Sequence, residues 1–269
     1  MTISSARSSF RVFTRSKQAK LRLFCFPHAG AGASPYFAWA KLFSPEIEVI
    51  GVQLPGRENR ISEAPLSKLE DILTLLSTDI EPFLGLPFAF FGHSMGALIA
   101  FELACYLRRE GRPQPFHLFI SGRAAPHLPV RRLHELPTAE LLEHVRSFSG
   151  TADEVLQSEE MQSLFLPLLR ADFSVCANHI HRQEPPLSCP ITAFGGDDDP
   201  TATPEMIRGW ERQTTHAFNM HTLSGSHFFV LAAAREVVKI IDDQLHGAAV
   251  CGAGPEKLSP MFCKPSVVS

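Results

Sequence analysis

A chain of 269 residues is long enough for one large α/β domain or two small ones. Its 45% hydrophobic and 20% charged content is that of an ordinary globular protein, and a net charge of -3 gives no basis for nucleic acid or a membrane surface as partner. No Cys-x-x-Cys pair occurs among the six cysteines, and no apolar run reaches the length of a membrane span, so a disulfide scaffold, a zinc module and a transmembrane helix are set aside. The cysteines read as reduced, buried thiols of a cytoplasmic protein.

Residues 1–20 carry Arg7, Arg11, Arg15, Lys17 and Lys20 and no acid. Without an apolar core they are no secretory signal. They read as a flexible basic N-terminus in which Phe10 to Phe13 forms an edge strand. Leu21 to Phe26 is a strand, followed by a loop of small residues from Pro27 to Ser34 and a short helix from Tyr36 to Leu42. Ile47 to Gln53 is the next strand, ending in the turn Leu54-Pro55-Gly56-Arg57. Arg57 and Arg60 read as structural or solvated rather than as contacts for an anionic group. Ser67-Lys68-Leu69-Glu70 fits a capping box, and Leu69, Ile72, Leu73, Leu76 and Ile80 make one apolar helical face behind it.

Phe88 to Phe91 is a buried strand and Ala97 to Ala104 a helix, with Gly92-His93-Ser94-Met95-Gly96 between them. A strand-to-helix turn of this type needs glycine on both sides, where a side chain would strike the neighbouring backbone. It presents Ser94 at a helix N-terminus, where a developing negative charge is favoured. In hydrolases with Gly-x-Ser-x-Gly, an oxyanion hole takes one N–H from the loop after an early strand and one from the residue after the nucleophile. Here those are Ala29 and Met95.

His117 to Gly122 is a further strand, and strands alternate with helices up to this point, which implies a parallel sheet covered on both faces. From about 125 to 186 no strand is evident. Helices at Thr138 to Phe148 and Ser158 to Asp172 read as a lid over the site. His179-Ile180-His181 has the look of a metal pair. No carboxylate or cysteine lies at ligand spacing, so both are taken as surface histidines and no metal is expected.

Pro190 to Phe194 resumes the sheet and leads to Gly195-Gly196-Asp197-Asp198-Asp199-Pro200. Thr203 caps the next helix, with Pro204 in its first position. A carboxylate at this strand end can hold a histidine from the next loop, but chemistry does not say which of the three aspartates does so. Ala217 to Leu223 is the last strand, and His227 follows it in a Gly-containing turn, giving the chain order Ser, Asp, His. A final helix runs to about Leu245, and 247–269 reads as a disordered tail.

Cys-Phe-Pro-His-Ala-Gly at 25–30, Leu-Pro-Gly-Arg at 54–57, Gly-His-Ser-Met-Gly at 92–96, Leu-Arg-Ala-Asp-Phe at 169–173, Gly-Gly-Asp-Asp-Asp-Pro at 195–200 and Gly-Ser-His-Phe-Phe at 225–229 occur in that order. The set resembles the type II (external, editing) thioesterases of polyketide synthase and nonribosomal peptide synthetase systems, over about residues 20 to 245. Two positions depart from the family pattern, Ala31 and Ser226, where glycine is common; Ser226 bears on the turn that holds His227. The resemblance implies an α/β-hydrolase fold, a mostly parallel sheet with helices on both faces and a helical lid, spanning 21–246. It implies Ser94 as nucleophile, His227 as general base and Asp199 as the acid of a catalytic triad. It also implies Ala29 and Met95 as oxyanion donors, no cofactor beyond the phosphopantetheine carried by the substrate, and acyl or peptidyl carrier protein domains as partners of a cytoplasmic monomer. The expected activity is hydrolysis of aberrant or stalled acyl groups from carrier proteins. The alternatives are a free-standing acyl-CoA thioesterase or carboxylesterase, release of medium-chain acyl groups from a fatty acid synthase, and a non-catalytic scaffold that keeps the fold.

Overall fold

The computed structural model describes residues 8–148 and 158–250. Its framework is a seven-stranded sheet in the order β1-β3-β2-β4-β5-β6-β7. The strands are β1 (Phe10–Val12), β2 (Leu21–Phe26), β3 (Ile47–Val52), β4 (Phe88–His93), β5 (Leu118–Ser121), β6 (Ile191–Gly196) and β7 (Phe218–Leu223). Every pairing is parallel except that of β1, which runs antiparallel to β3 with Phe10 opposite Val52. The basic N-terminal stretch therefore supplies the edge strand expected at Phe10.

Alternation along the strands sends side chains to two cores. From β2, β4 and β5, Phe24, Phe26, Phe88, Phe90, Leu118 and Ile120 enter one core. Leu21, Leu23, Ala89, Phe91 and Phe119 enter the other. Both sets are apolar, so these strands read as near-continuous hydrophobic runs, as a sheet covered on both faces requires. The first core is closed by α2 (Leu69–Asp79) and α3 (Met95–Arg109). The second is closed by α1 (Pro35–Ala40) and by the C-terminal helix Ala234–Val250. The latter continues past the expected end near Leu245, carrying Gly247 within it; 251–269, where the tail was placed, lies outside the described residues.

The segment between β5 and β6 carries α4 (Thr138–Ser147) and α5 (Glu159–Ala177). These helices build a third, smaller core from Leu141, Val145 and Leu169, with Phe148, Phe165 and Phe173 packed against it. The fold is thus an α/β-hydrolase sheet with a helical lid. Two short helices, α6 (Pro204–Arg208) and α7 (Phe229–Ala232), follow β6 and β7. Thr203 caps α6 by accepting the N–H of Met206, as its position predicts. The capping box at Ser67 does not form: Lys68 is the N-cap of α2, and no side chain caps it. Ser67 is engaged elsewhere, its carbonyl accepting the Ser174 hydroxyl of α5 at 2.8 Å.

Candidate active site

The described site lies where the parallel strands end, the edge at which open α/β sheets place their ligands. β4 ends in the turn that carries Ser94, whose backbone is held at φ 56°, ψ -114°. A positive φ is strained for a residue with a Cβ. The two glycines make the turn feasible. A Cβ on Gly92 would strike the backbone of Gly96, and one on Gly96 would strike the carbonyl of Phe26 on β2. Ser94 N–H is tied to the Ser121 carbonyl of β5 at 2.8 Å. The strain is therefore fixed from both neighbouring strands.

His227 follows β7 and Asp199 follows β6. Ser94 Oγ lies 3.0 Å from His227 Nε2, and His227 Nδ1 lies 2.7 Å from Asp199 Oδ2. Asp199 Oδ1 accepts the Thr201 N–H at 2.9 Å and the Thr201 hydroxyl at 2.7 Å. Burial alone would raise the Asp199 pKa; hydrogen bonds from His227 and from Thr201 outweigh it and hold the carboxyl below its usual value. Of the other two aspartates, Asp197 takes the N–H of Gly225 at 2.8 Å and so shapes the turn before His227. Ser226 is accommodated in that turn, where its carbonyl accepts the N–H of Phe229 at 3.0 Å.

Met95 N–H is the first of α3, where no carbonyl lies one turn back. Ala29 lies in the loop after β2, on the wall of the same cleft as Ser94 and His227. The next residue in that loop, Gly30, has φ +80° and donates its N–H to Asp172 Oδ2 at 2.7 Å. Asp172 belongs to α5 of the lid and also receives the guanidinium of Arg57, with contacts of 2.8 and 2.9 Å. Both side chains are buried, 3% and 0% exposed. Sequence reasoning missed this pair, although both residues lie in the family motifs and a charge within an apolar run such as Leu169 to Phe173 was the available signal. Arg60 is likewise structural: it binds Glu63, the Ser9 hydroxyl and the Gln53 carbonyl.

The rings of Phe148, His93 and Phe228 pack around that of His227. Phe148, at the end of α4, covers its ring at 5.0 Å between centroids. The centroid of His93 stands 5.1 Å from that of His227, and His28 packs edge-on against Phe228. Burial, helped by the proximity of His227 and Arg57, lowers the His28 pKa to about 4. Burial also pushes His93 well below its ordinary value, with His227 and His28 adding to the shift. Both are thus neutral at pH 7.

The cleft above Ser94 has about 1030 Å³ of empty volume, walled by Phe148, Phe165, Leu169, Phe173 and Phe228. A second cleft of about 760 Å³ shares Gly30, Ala31, Met161 and Phe165 with it and continues outward past Arg57 and Ile61. The four described cysteines, Cys25, Cys105, Cys176 and Cys189, are free and buried, as expected. The expectation of two surface histidines fails. The His179 side chain is only 6% exposed and its Nε2 lies 2.8 Å from Glu102 Oε1. The carboxylate comes from α3, far away in the chain and therefore invisible to ligand spacing.

A serine on a strained strand-to-helix turn, aligned with histidine and aspartate under a helical lid, defines a serine hydrolase of the α/β class. A family model described as "Thioesterase domain" matches residues 21–245. The chain is 46% identical over 229 residues to the gramicidin S biosynthesis protein GrsT of Aneurinibacillus migulanus, covering 84% of this chain and 90% of that one. Among solved structures it is similar to the RedJ thioesterase of the prodiginine pathway in Streptomyces coelicolor, with 40% identity, a TM-score of 0.79 and coverage of 84% and 86%. It is also similar to the type II thioesterase BorB from the borrelidin biosynthetic cluster, with 34% identity, a TM-score of 0.81 and coverage of 91% and 100%. The chain belongs to the thioesterase domain family, as a type II thioesterase of the serine-hydrolase kind. No helix among the described residues is long and apolar enough to cross a membrane.

Proposed function

We propose that the protein hydrolyses aberrant or stalled acyl groups from the phosphopantetheine arm of carrier proteins. The observation that carries this reading is the hydrogen-bonded row Ser94–His227–Asp199 at the floor of a long, apolar, lid-walled cleft. In this mechanism Ser94 Oγ attacks the thioester carbonyl while His227 Nε2 takes its proton. Asp199 holds the imidazole with its other nitrogen toward the acid and offsets the positive charge that forms. The carbonyl oxygen becomes an oxyanion between the N–H groups of Ala29 and Met95. The C–S bond breaks, and the protonated His227 gives its proton to the departing pantetheine sulfur, which leaves as the thiol. His227 then activates water to cleave the acyl-enzyme, returning Ser94 to its starting state.

The cleft wall suits an acyl chain, since its aromatic and aliphatic side chains gain by contact with methylenes. The outward cleft beside Arg57 and Ile61 offers a route for the arm of a carrier that stays outside the lid.

The test loads carrier proteins with acetyl, propionyl or medium-chain groups, mixes each with wild type or Ser94→Ala, and follows the acyl mass by intact-protein mass spectrometry. Ser94-dependent loss across several short chains is the expected result. Loss restricted to a medium chain would assign chain release instead. A higher kcat/KM for acyl-CoA or a simple ester than for any acyl carrier would replace the proposal with a free-standing hydrolase. Retention of every acyl group, with no labelling of Ser94 by a serine-directed phosphonate, would leave only a scaffold.

A further inference from the structure

The exit of the lid meets the helix that carries the serine at a second polar cluster. Glu102 stands on α3 about two turns beyond Ser94 and is only 7% exposed, between the buried Phe101 and Leu103. A buried acid requires a partner. Its partners come from the segment that leaves α5, where His179 Nε2 makes the 2.8 Å contact already described. His181 completes the group: one ligand atom from each of Glu102, His179 and His181 lies within 4.8 Å of the other two. His181 Nδ1 is shut off from solvent and has no hydrogen-bond partner among the described residues.

We propose that Glu102, His179 and His181 form a binding site for a divalent first-row transition ion of the zinc class. Two imidazoles and one carboxylate are a donor set suited to zinc and its neighbours, whereas calcium and magnesium prefer oxygen alone. In a tetrahedral zinc site with bonds of about 2.0–2.1 Å, neighbouring donors stand roughly 3.3 Å apart. The triangle here brackets that spacing, from 2.8 Å on the Glu102–His179 edge to an upper limit of 4.8 Å. Small side-chain rotations bring it to the metal geometry. The Glu102–His179 hydrogen bond by itself accounts for the buried acid and leaves His181 unexplained; a shared ion accounts for both. A narrow cleft bordered by Glu102, Cys105, His181 and Glu184 adjoins the group.

The placement has a consequence for the lid. His127, near the start of the insertion, has its ring 6.2 Å from that of His181. Both ends of the insertion therefore meet at this cluster, and a bound ion ties its exit to α3. It is a structural ion, separate from the serine chemistry.

The test uses the full-length protein, stripped with chelator and titrated with Co²⁺ and with Zn²⁺. One equivalent of Co²⁺ with the strong visible bands of a four-coordinate N/O site, displaced by Zn²⁺, is expected. His181→Ala should weaken binding by more than the roughly 10–100-fold that loss of an outer partner costs. His179→Gln and Glu102→Gln should do the same. His181 is half-buried and lies outside the serine site, so the circular dichroism and Ser94 phosphonate labelling of its variant should match wild type. Undiminished binding in His181→Ala, Co²⁺–thiolate charge-transfer bands that assign the ion to cysteines, or no uptake by wild type would overturn the site.

Discussion

Asp199 receives three polar contacts, one from His227 and two from Thr201. Its depressed pKa keeps it ionised across the neutral range, which is what an imidazole that must accept a proton requires. Asp199→Asn preserves the shape and removes the charge. With an amide N–H facing Nδ1, the ring is driven into the wrong tautomer and Nε2 can no longer take the serine proton. We expect kcat to fall by as much as about 10⁴, with KM little changed, measured on an acyl carrier protein. A fall below tenfold would mean that the good thiol leaving group makes proton transfer secondary. At this scale the sequence was informative but incomplete. Ser94 was legible because its turn demands glycines, and His227 because it follows the last strand. The choice among Asp197, Asp198 and Asp199 needed resemblance, because three adjacent carboxylates are chemically alike until the turn aims one of them at the ring.

Between elements, a buried ion pair joins the lid to the loop that carries the proposed oxyanion donor Ala29. Asp172 on α5 takes two buried guanidinium contacts from Arg57 and the N–H of Gly30. Gly30 follows Ala29 directly, so α5 positions the proposed oxyanion donor. Removing one partner leaves the other charge buried and unpaired, at a cost of about 3–5 kcal/mol. Arg57→Met and Asp172→Leu should each lower the free energy of unfolding by that amount, measured by denaturant titration. The double variant should recover much of the stability, because an apolar pair of similar volume avoids the desolvation cost. It should not recover kcat, since nothing then holds Gly30. Recovery of both would reduce the pair to a packing device. Links of this kind were not legible in the sequence, whereas the elements were. Phe24, Phe90 and Phe119 announce buried strands through composition and length alone. Arg57 with Asp172, and Glu102 with His179, are pairs set by tertiary packing, and no local periodicity encodes a partner so far along the chain. The failed capping box at Ser67 has the same origin, because Ser67 is engaged by α5 rather than by its own helix.

For the molecule as a whole, burial of neutral histidines links stability to pH. His117 enters β5 with its ring stacked on Phe119 at 4.1 Å, and its Nε2 lies 2.9 Å from Thr192 Oγ1 of β6. Thr192 donates its own proton to Gln244 of the C-terminal helix at 2.7 Å, so it accepts from His117, and the neutral ring carries its proton on Nε2. Burial lowers the His117 pKa from 6.5 to about 4. Between those values the unfolded chain binds the proton and the folded one does not, so stability rises with pH across that window. The contribution is complete above pH 6.5 and is lost as pH falls toward 4, a loss of roughly 3 kcal/mol at about 1.4 kcal/mol per pH unit. His28 titrates across the same window, so the wild-type decline has at least two sources. Asp199, with its pKa depressed, acts only below its ordinary value of 3.8 and is separable from both. His117→Gln keeps a donor toward Thr192 and cannot be charged. Its urea midpoint at pH 7.5 should be close to wild type, and its decline between pH 7.5 and pH 4.5 should be shallower by roughly 2–3 kcal/mol. Parallel declines in the two proteins would mean that His117 becomes protonated in the folded state, and the link between β5, β6 and the C-terminal helix would have to open to admit that proton.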